Sequence, residues 1–193
     1  DPVWARIRTE AVTMAHQEPI LASFLHTIVL SHELFEEALS FHLAQKLGSA
    51  DVRAIVLRQV FDEIYPQDAE LGAAVRADIV AVLERDPACR SPLEPLLYYK
   101  GFQALQAYRI ARWLWNEGRG PMALYLQNRI SEIFDVDIHP AARIGRGIMI
   151  DHATSVVIGE TAVVEDEVSM LHEVTLGGTG KAAGDRHPKV RKG

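Results

Sequence analysis

IHPAARIGRGIMIDHATSVVIGETAVVEDEVSMLHEV, residues 138–174, carries a branched or small apolar side chain at every sixth position: Ile138, Ile144, Ile150, Val156, Ala162, Val168 and Val174. A period of six fits neither an α-helix nor a simple strand. It fits a hexapeptide solenoid, a parallel β-helix whose rungs point into a narrow shared core while the residues between them face solvent or a neighbouring subunit. At six residues to a side, roughly 18 residues close one triangular coil of three short strands. The ladder covers little more than two coils, whereas such a solenoid needs about three repeats and a terminal cap. The sequence shows neither, so further coils or other subunits are expected to cover the open end.

Upstream of the ladder the periodicity is helical. Asp1-Pro2 reads as an N-cap with proline in the first turn, and Val3, Ile7, Ala11, Met14 and Ala15 recur at helical spacing until Pro19. A second apolar run covers Leu21 to Leu30, and Leu34 to Leu47 predicts a third helix closed by Gly48 as a left-handed cap. Val52–Tyr65 and Ala69–Arg85 predict two more amphipathic helices, each ended by a proline signal. Pro95 to Trp115 reads as one long helix with an aromatic stripe, stopped by Asn116-Glu-Gly118, and a last helix is expected from about Met122 to Phe134. Aromatic stripes at this spacing usually serve packing. The periodicity changes at Asp135, which predicts an α+β chain: residues 1–135 helical, 136–193 a partial parallel β-helix, with a loop extruded at about 177–191.

Composition narrows the function. A hydrophobic fraction of 48% provides for a buried core, and a net charge of −6 argues against a nucleic-acid partner. Only the stretch from Lys181 to Lys192 is locally basic, a possible anion site. The single cysteine, Cys89, has no internal disulfide partner and no paired base, so it reads as an inert small side chain in a protein of cytoplasmic type. No stretch is long and apolar enough to cross a membrane. The chain begins without Met, which is consistent with an expressed or trimmed fragment.

Acid and imidazole groups crowd the outward positions of the ladder: Asp137, His139, Asp151, His152, Glu160 and His172, then Asp185, Arg186 and His187. Glu165, Asp166 and Glu167 read as a solvated face. Asp151-His152 presents a carboxylate and an imidazole together at a coil edge. Asp137 lies 15 residues before His152, close to one coil, which predicts that it sits near the layer below. A carboxylate that fixes the tautomer of a histidine makes a general base; the competing reading is that Asp137 only satisfies a turn amide. Arg186-His187 lies in an irregular Gly-rich run, where an arginine can take a carboxylate with two parallel hydrogen bonds. The Gly177-Gly-Thr-Gly run lacks the spacing of a phosphate-binding P-loop. An alternative is interfacial zinc, as in a trimeric β-helix enzyme of the gamma-carbonic-anhydrase type, with His152 and His187 as ligands. Its third histidine is missing: His172 lies on another column, and the position five after His187 is Lys192. His16, His26, His32 and His42 fall on predicted helices and read as surface or packing residues.

Several strings together resemble the bacterial and plant serine O-acetyltransferases, which belong to the hexapeptide-repeat acyltransferases. They are Pro95-Leu-Leu-Tyr98, Lys100-Gly-Phe-Gln-Ala-Leu-Gln-Ala-Tyr-Arg109, Asp137-Ile-His-Pro-Ala141, Ile144-Gly-Arg-Gly-Ile-Met149, Asp151-His-Ala-Thr154, Val174-Thr-Leu-Gly-Gly-Thr-Gly-Lys181 and Gly184-Asp-Arg-His-Pro-Lys189. The resemblance covers nearly the whole chain. It implies a left-handed parallel β-helix that trimerises, two trimers joined through their helical parts, and an active site between neighbouring subunits. It implies transfer of acetyl from acetyl-CoA to the hydroxyl of L-serine, the first step of cysteine synthesis from serine, with no metal. His152 would then be the general base, oriented by Asp137; Asp86 and Asp151 would hold the substrate ammonium, Arg186 and His187 its carboxylate, and Gly178 and Thr179 would contact the pantetheine arm. L-Cysteine is the implied feedback inhibitor. Family members continue past the position of Gly193 with more coils and a tail that binds O-acetylserine sulfhydrylase. A chain ending here lacks both, so weakened CoA binding, trimer stability and partner binding, and weak or no acetyl transfer, are expected of it.

Overall fold

Eight α-helices precede the first strand in the computed structural model, which describes residues 1–181 and 183–193. Position 182, inside the predicted loop, lies outside the described residues. Helix α1 (Pro2–Gln17) starts as its sequence dictates, the Asp1 carboxylate accepting the Trp4 amide at 3.1 Å. The second apolar run is a 3₁₀ turn, a short α2 (Ala22–Leu25) and a π-type turn (His26–Leu30). Helix α3 (Phe35–Leu47) ends at Gly48, which is extended at φ −58° and ψ 150° rather than left-handed. The Ser49 hydroxyl instead accepts the amides of Asp51 and Val52 and turns the chain into α4 (Ala54–Ile64). Asp68 caps α5 (Ala69–Arg85) through the amides of Glu70 and Leu71.

The aromatic segment is two helices, not one: α6 (Leu93–Tyr98) and α7 (Lys100–Asn116), broken at Tyr99 (φ −88°, ψ 104°). The break leaves the Leu96 carbonyl without a helical partner, and the buried Gln103 amide donates to it at 2.9 Å. Helix α8 (Gly120–Phe134) closes on Asp135, left-handed at φ 58°.

Eight short strands then wind into three parallel sheets: β1 (Val136–Ile138), β4 (Val156–Ile158) and β7 (Thr175–Leu176); β2 (Arg143–Ile144), β5 (Val163–Val164) and β8 (Lys189–Val190); β3 (Met149–Ile150) and β6 (Ser169–Met170). The strands form the expected parallel coils, but the ladder changes column. Ile138 pairs with Ile158, Ile144 with Val164 and Ile150 with Met170, so this coil takes 20 residues rather than 18. Two extra residues enter at the Asp151–Ser155 corner, where His152, Ala153 and Ser155 all have left-handed φ, 57–62°. Val156 therefore stacks on Val136, not beneath Ile138, and Ala162 and Val168 follow it. The sequence period hides the slip because residues two apart on a strand share a face, and both columns are apolar. The predicted loop rejoins the sheet early, at β8.

The helical part caps the first coil, at the end opposite the one left open beyond β8. The underside of the first coil exposes carbonyls that no lower coil can satisfy, and side chains of α5 and α7 reach them. Tyr108 donates to the Ala142 carbonyl at 2.5 Å, Arg112 to that of Ala141 at 2.8 Å, and Arg109 to that of Gly145 at 2.6 Å. Buried Asp78 grips Arg109 at 2.8 Å and accepts the Ile148 amide at 2.9 Å. Burial drives the Asp78 carboxyl above the usual carboxylate range, and Arg109, Gln106 and the Ile148 amide pull it back. Burial also pushes the Tyr108 phenol up to about 12. One continuous apolar core runs from Trp4 through α7 into the coils at Leu176.

Candidate active site

The predicted site residues fall into two groups. The first surrounds the two-residue slip. Asp151 follows β3, its amide held by the Met170 carbonyl at 2.8 Å, and its carboxylate lies 3.5 Å from His152 Nε2. The His152 ring is solvent-facing and meets His172 edge-on, ring centres 5.9 Å apart. Asp86, just past the end of α5, accepts the Ala88 amide at 2.8 Å. Asp86, Asp151 and His152 line a single cavity of about 410 Å³ together with Tyr98, Tyr99 and Lys100, a volume suited to a small metabolite. Lys100 donates to Thr154 Oγ1 at 2.7 Å and so pins the corner to α7.

The second group gathers around the extruded loop. Asp137, the outward residue of β1, accepts from Gln127 Nε2 of α8 at 2.7 Å. Arg186 is held by Glu160 at 2.8 Å, and the guanidinium keeps that carboxyl below its usual range. His187 packs on Gly159, where any Cβ would overlap the ring, and its Nδ1 lies 2.8 Å from Thr161 Oγ1. His139 lies among these charges: burial lowers its pKa most, while Glu160 and Asp137 work against that and Arg186 and His187 add to it. Gly178 faces Arg186 and the His187 Nε2. Thr179 makes no hydrogen bond among the described residues.

Asp137 and His152 are therefore not stacked as the 15-residue interval predicts; the coil here is 20 residues long, which sets Asp137 against Val157 instead. Among the described residues no hydrogen bond joins them, and the carboxylate facing His152 is Asp151. His152 and His187 lie in different groups, and among the described residues no cluster of three or more His, Cys, Asp or Glu is placed to hold a metal. Within the basic stretch Lys189 pairs with Asp185, and Arg191 pairs with Glu165 at 2.6 Å. Glu165, Asp166 and Glu167 are partnered rather than merely solvated, by Arg191, the Arg146 amide and Arg85. A larger cavity of about 620 Å³ between α7 and the β2–β5 sheet contains none of the predicted site residues, and its Arg109 and Arg112 are committed to backbone carbonyls.

Residues 3–107 match the family model described as serine acetyltransferase, N-terminal. The serine acetyltransferase of Escherichia coli strain K12 is 58% identical over 191 residues, covering 99% of this chain and 70% of that protein. The chain belongs to the serine acetyltransferase family. The Brucella abortus strain S19 serine acetyltransferase, solved in complex with coenzyme A, superimposes with a TM-score of 0.98 at 52% identity, over 100% of this chain and 77% of that one. Another serine acetyltransferase, solved in complex with cysteine, gives 0.96 at 55% identity over 98% and 74% of the two chains. The fold is accordingly the expected one, a helical part followed by a left-handed parallel β-helix, and the zinc alternative is not favoured.

Three residues near these groups were not singled out as site residues from this serine acetyltransferase sequence. Gln127 is an ordinary helical glutamine until the register places it beside Asp137. Glu160 reads as one more outward acid, and Thr161 carries no chemical signal of its own in the sequence. Their spacing to Arg186 and His187, 26 residues in each case, is set by the loop insertion and carries no periodic signal.

Proposed function

We propose that this chain transfers the acetyl group of acetyl-CoA to the hydroxyl of L-serine at a site completed by a neighbouring copy. The observation that carries the reading is the split of the site: two carboxylates and an imidazole share one cavity, while a guanidinium, an imidazole and the Asp137 carboxylate share another face. An amino acid needs an anionic anchor for its ammonium and a cationic anchor for its carboxylate before its hydroxyl can be aimed. Asp86 and Asp151 supply the first; Arg186 supplies the second, and His187 holds the same carboxylate by a hydrogen bond. His152 takes the hydroxyl proton as the serine oxygen attacks the thioester carbonyl, and Asp137 of the adjoining copy steadies the imidazolium. Collapse of the tetrahedral intermediate breaks the C–S bond, and the imidazolium returns the proton to the CoA sulfur. Gly178 lies beside the carboxylate anchors, and it and Thr179 contact the pantetheine arm.

Three copies arranged cyclically place the open face of one group against the other, and two such trimers joined by their helical parts make a hexamer. L-Cysteine, which shares the ammonium and carboxylate of serine, competes for the same anchors as a feedback inhibitor. The reaction belongs to cytoplasmic cysteine synthesis, and O-acetylserine sulfhydrylase is the partner expected of a C-terminal tail in longer relatives. Thiol release from acetyl-CoA with serine, with threonine and without acceptor tests the reaction. In the full-length protein His152→Ala is expected to lower serine-dependent release by about two to four orders of magnitude; near-normal turnover in that variant eliminates His152 as the base.

A further inference from the structure

Thr161, in the turn after β4, contacts both Arg186 and His187. Its backbone N–H reaches His187 Nδ1 at 3.2 Å, and its Oγ1 lies 2.8 Å from the same nitrogen. The same Oγ1 accepts the amides of Arg186 at 3.0 Å and His187 at 3.2 Å. We propose that Thr161 is a positioning residue that fixes His187 as the Nε2–H tautomer and aims that N–H, with the Arg186 guanidinium, at the substrate carboxylate. This rests on the reading above that Arg186 and His187 bind the carboxylate of serine.

The argument is one of donors and acceptors. An amide N–H can only donate, so the nitrogen it faces presents a lone pair. With both Thr161 Oγ1 lone-pair sites turned to the amides of Arg186 and His187, its hydroxyl proton is left to donate, and His187 Nδ1 at 2.8 Å shares it with the Asp185 carboxylate. Two donors thus converge on Nδ1, and a neutral imidazole carries its single proton on the other nitrogen. Gly159 lies against the ring edge that bears Nε2, and Gly178 lies beside Nε2, so backbone without side chains frames the proton that must reach a ligand. Glu160 holds one amino group of Arg186 at 2.8 Å, and the Gly184 carbonyl takes the other at 3.2 Å. The opposite tautomer would set a donor against two donors at Nδ1 and turn a lone pair toward the incoming carboxylate.

Selective ¹⁵N-histidine labelling of the full chain tests this directly, with the His187 signals assigned by subtraction of a His187→Asn sample. The expected spectrum has Nδ1 in the unprotonated range and Nε2 in the protonated one. Thr161→Val keeps the backbone donor and removes the hydroxyl. It is expected to raise the KM for serine about tenfold or more, as loss of hydrogen bonds to a binding site does, with the KM for acetyl-CoA and kcat changed much less. Thr161→Ser is expected to recover most of the loss. A protonated Nδ1 in the wild type, or an unchanged serine KM in Thr161→Val, overturns the proposal. Absence of serine-dependent thiol release by the full-length wild-type protein overturns the acetyl-transfer reading instead, and the ¹⁵N spectrum still decides the tautomer.

Discussion

His42 on α3 is almost fully buried, its Nε2 facing the Gln103 amide at 3.3 Å and its ring edge-on to Phe24. Burial lowers its pKa to about 4, with Lys46 adding to the shift and a bond toward Leu97 opposing it. The ring is therefore neutral in the fold at a pH where the unfolded chain binds a proton. Because the folded pKa lies below the unfolded 6.5, stability is full above that value and is lost as the pH falls toward 4. The loss is on the order of 3 kcal/mol across the window. His32, lowered by burial and then by Arg58, adds in the same direction. Denaturant midpoints at pH 7 and pH 5 are expected to differ in the wild type and to draw together in His42→Leu; equal shifts in both would assign the acid sensitivity elsewhere. Cys89, buried and raised by that burial, stays an inert thiol.

At the scale of elements, the join between α7 and β3 sets the geometry of the His152 corner. The two left-handed residues in succession, His152 and Ala153, cost about 1–2 kcal/mol each against ordinary backbone. The corner keeps that conformation because Ala153 is fully buried against Gly101 and Lys100 holds Thr154. Gly101 has no room for a side chain: a Cβ there would overlap the Ile150 carbonyl oxygen, one residue before Asp151. Gly101→Ala is expected to destabilise the chain by about 1–3 kcal/mol, as overpacking does, and to lower serine-dependent turnover more than acetyl-CoA binding. Thermal unfolding and saturation kinetics on the same preparation check both parts. The Asp78–Arg109 pair belongs to this scale too, since it joins α5, α7 and the first coil through one buried carboxylate.

For the whole molecule, the separation of the two groups has a consequence that mutagenesis can count. If each site takes His152 from one copy and Arg186 from the next, His152→Ala and Arg186→Ala chains are each inactive alone. Co-expressed and randomly assembled in a ring, about a quarter of their interfaces carry both intact halves. Thiol release is therefore expected to reappear at about that fraction of the wild-type level. No recovery in the mixed sample would place the whole site within one chain.

Some of this was written in the order of residues. The Asp1-Pro2 start, the change of period at Asp135 and the apolar hexads follow from local chemistry, because a cap and an inward rung depend on near neighbours. The motif strings likewise identified the family, since they need no geometry to be recognised. What only tertiary structure decided depends on contacts between distant segments. Tyr99 breaks the aromatic helix and Arg109 becomes a buried cap, although a mid-helix arginine reads as solvated. The two-residue slip at Asp151–Ser155 was invisible because it exchanges one apolar column for another. Yet it fixes which strand each outward residue stands on, and so keeps Asp137 and His152 in separate groups within a single chain.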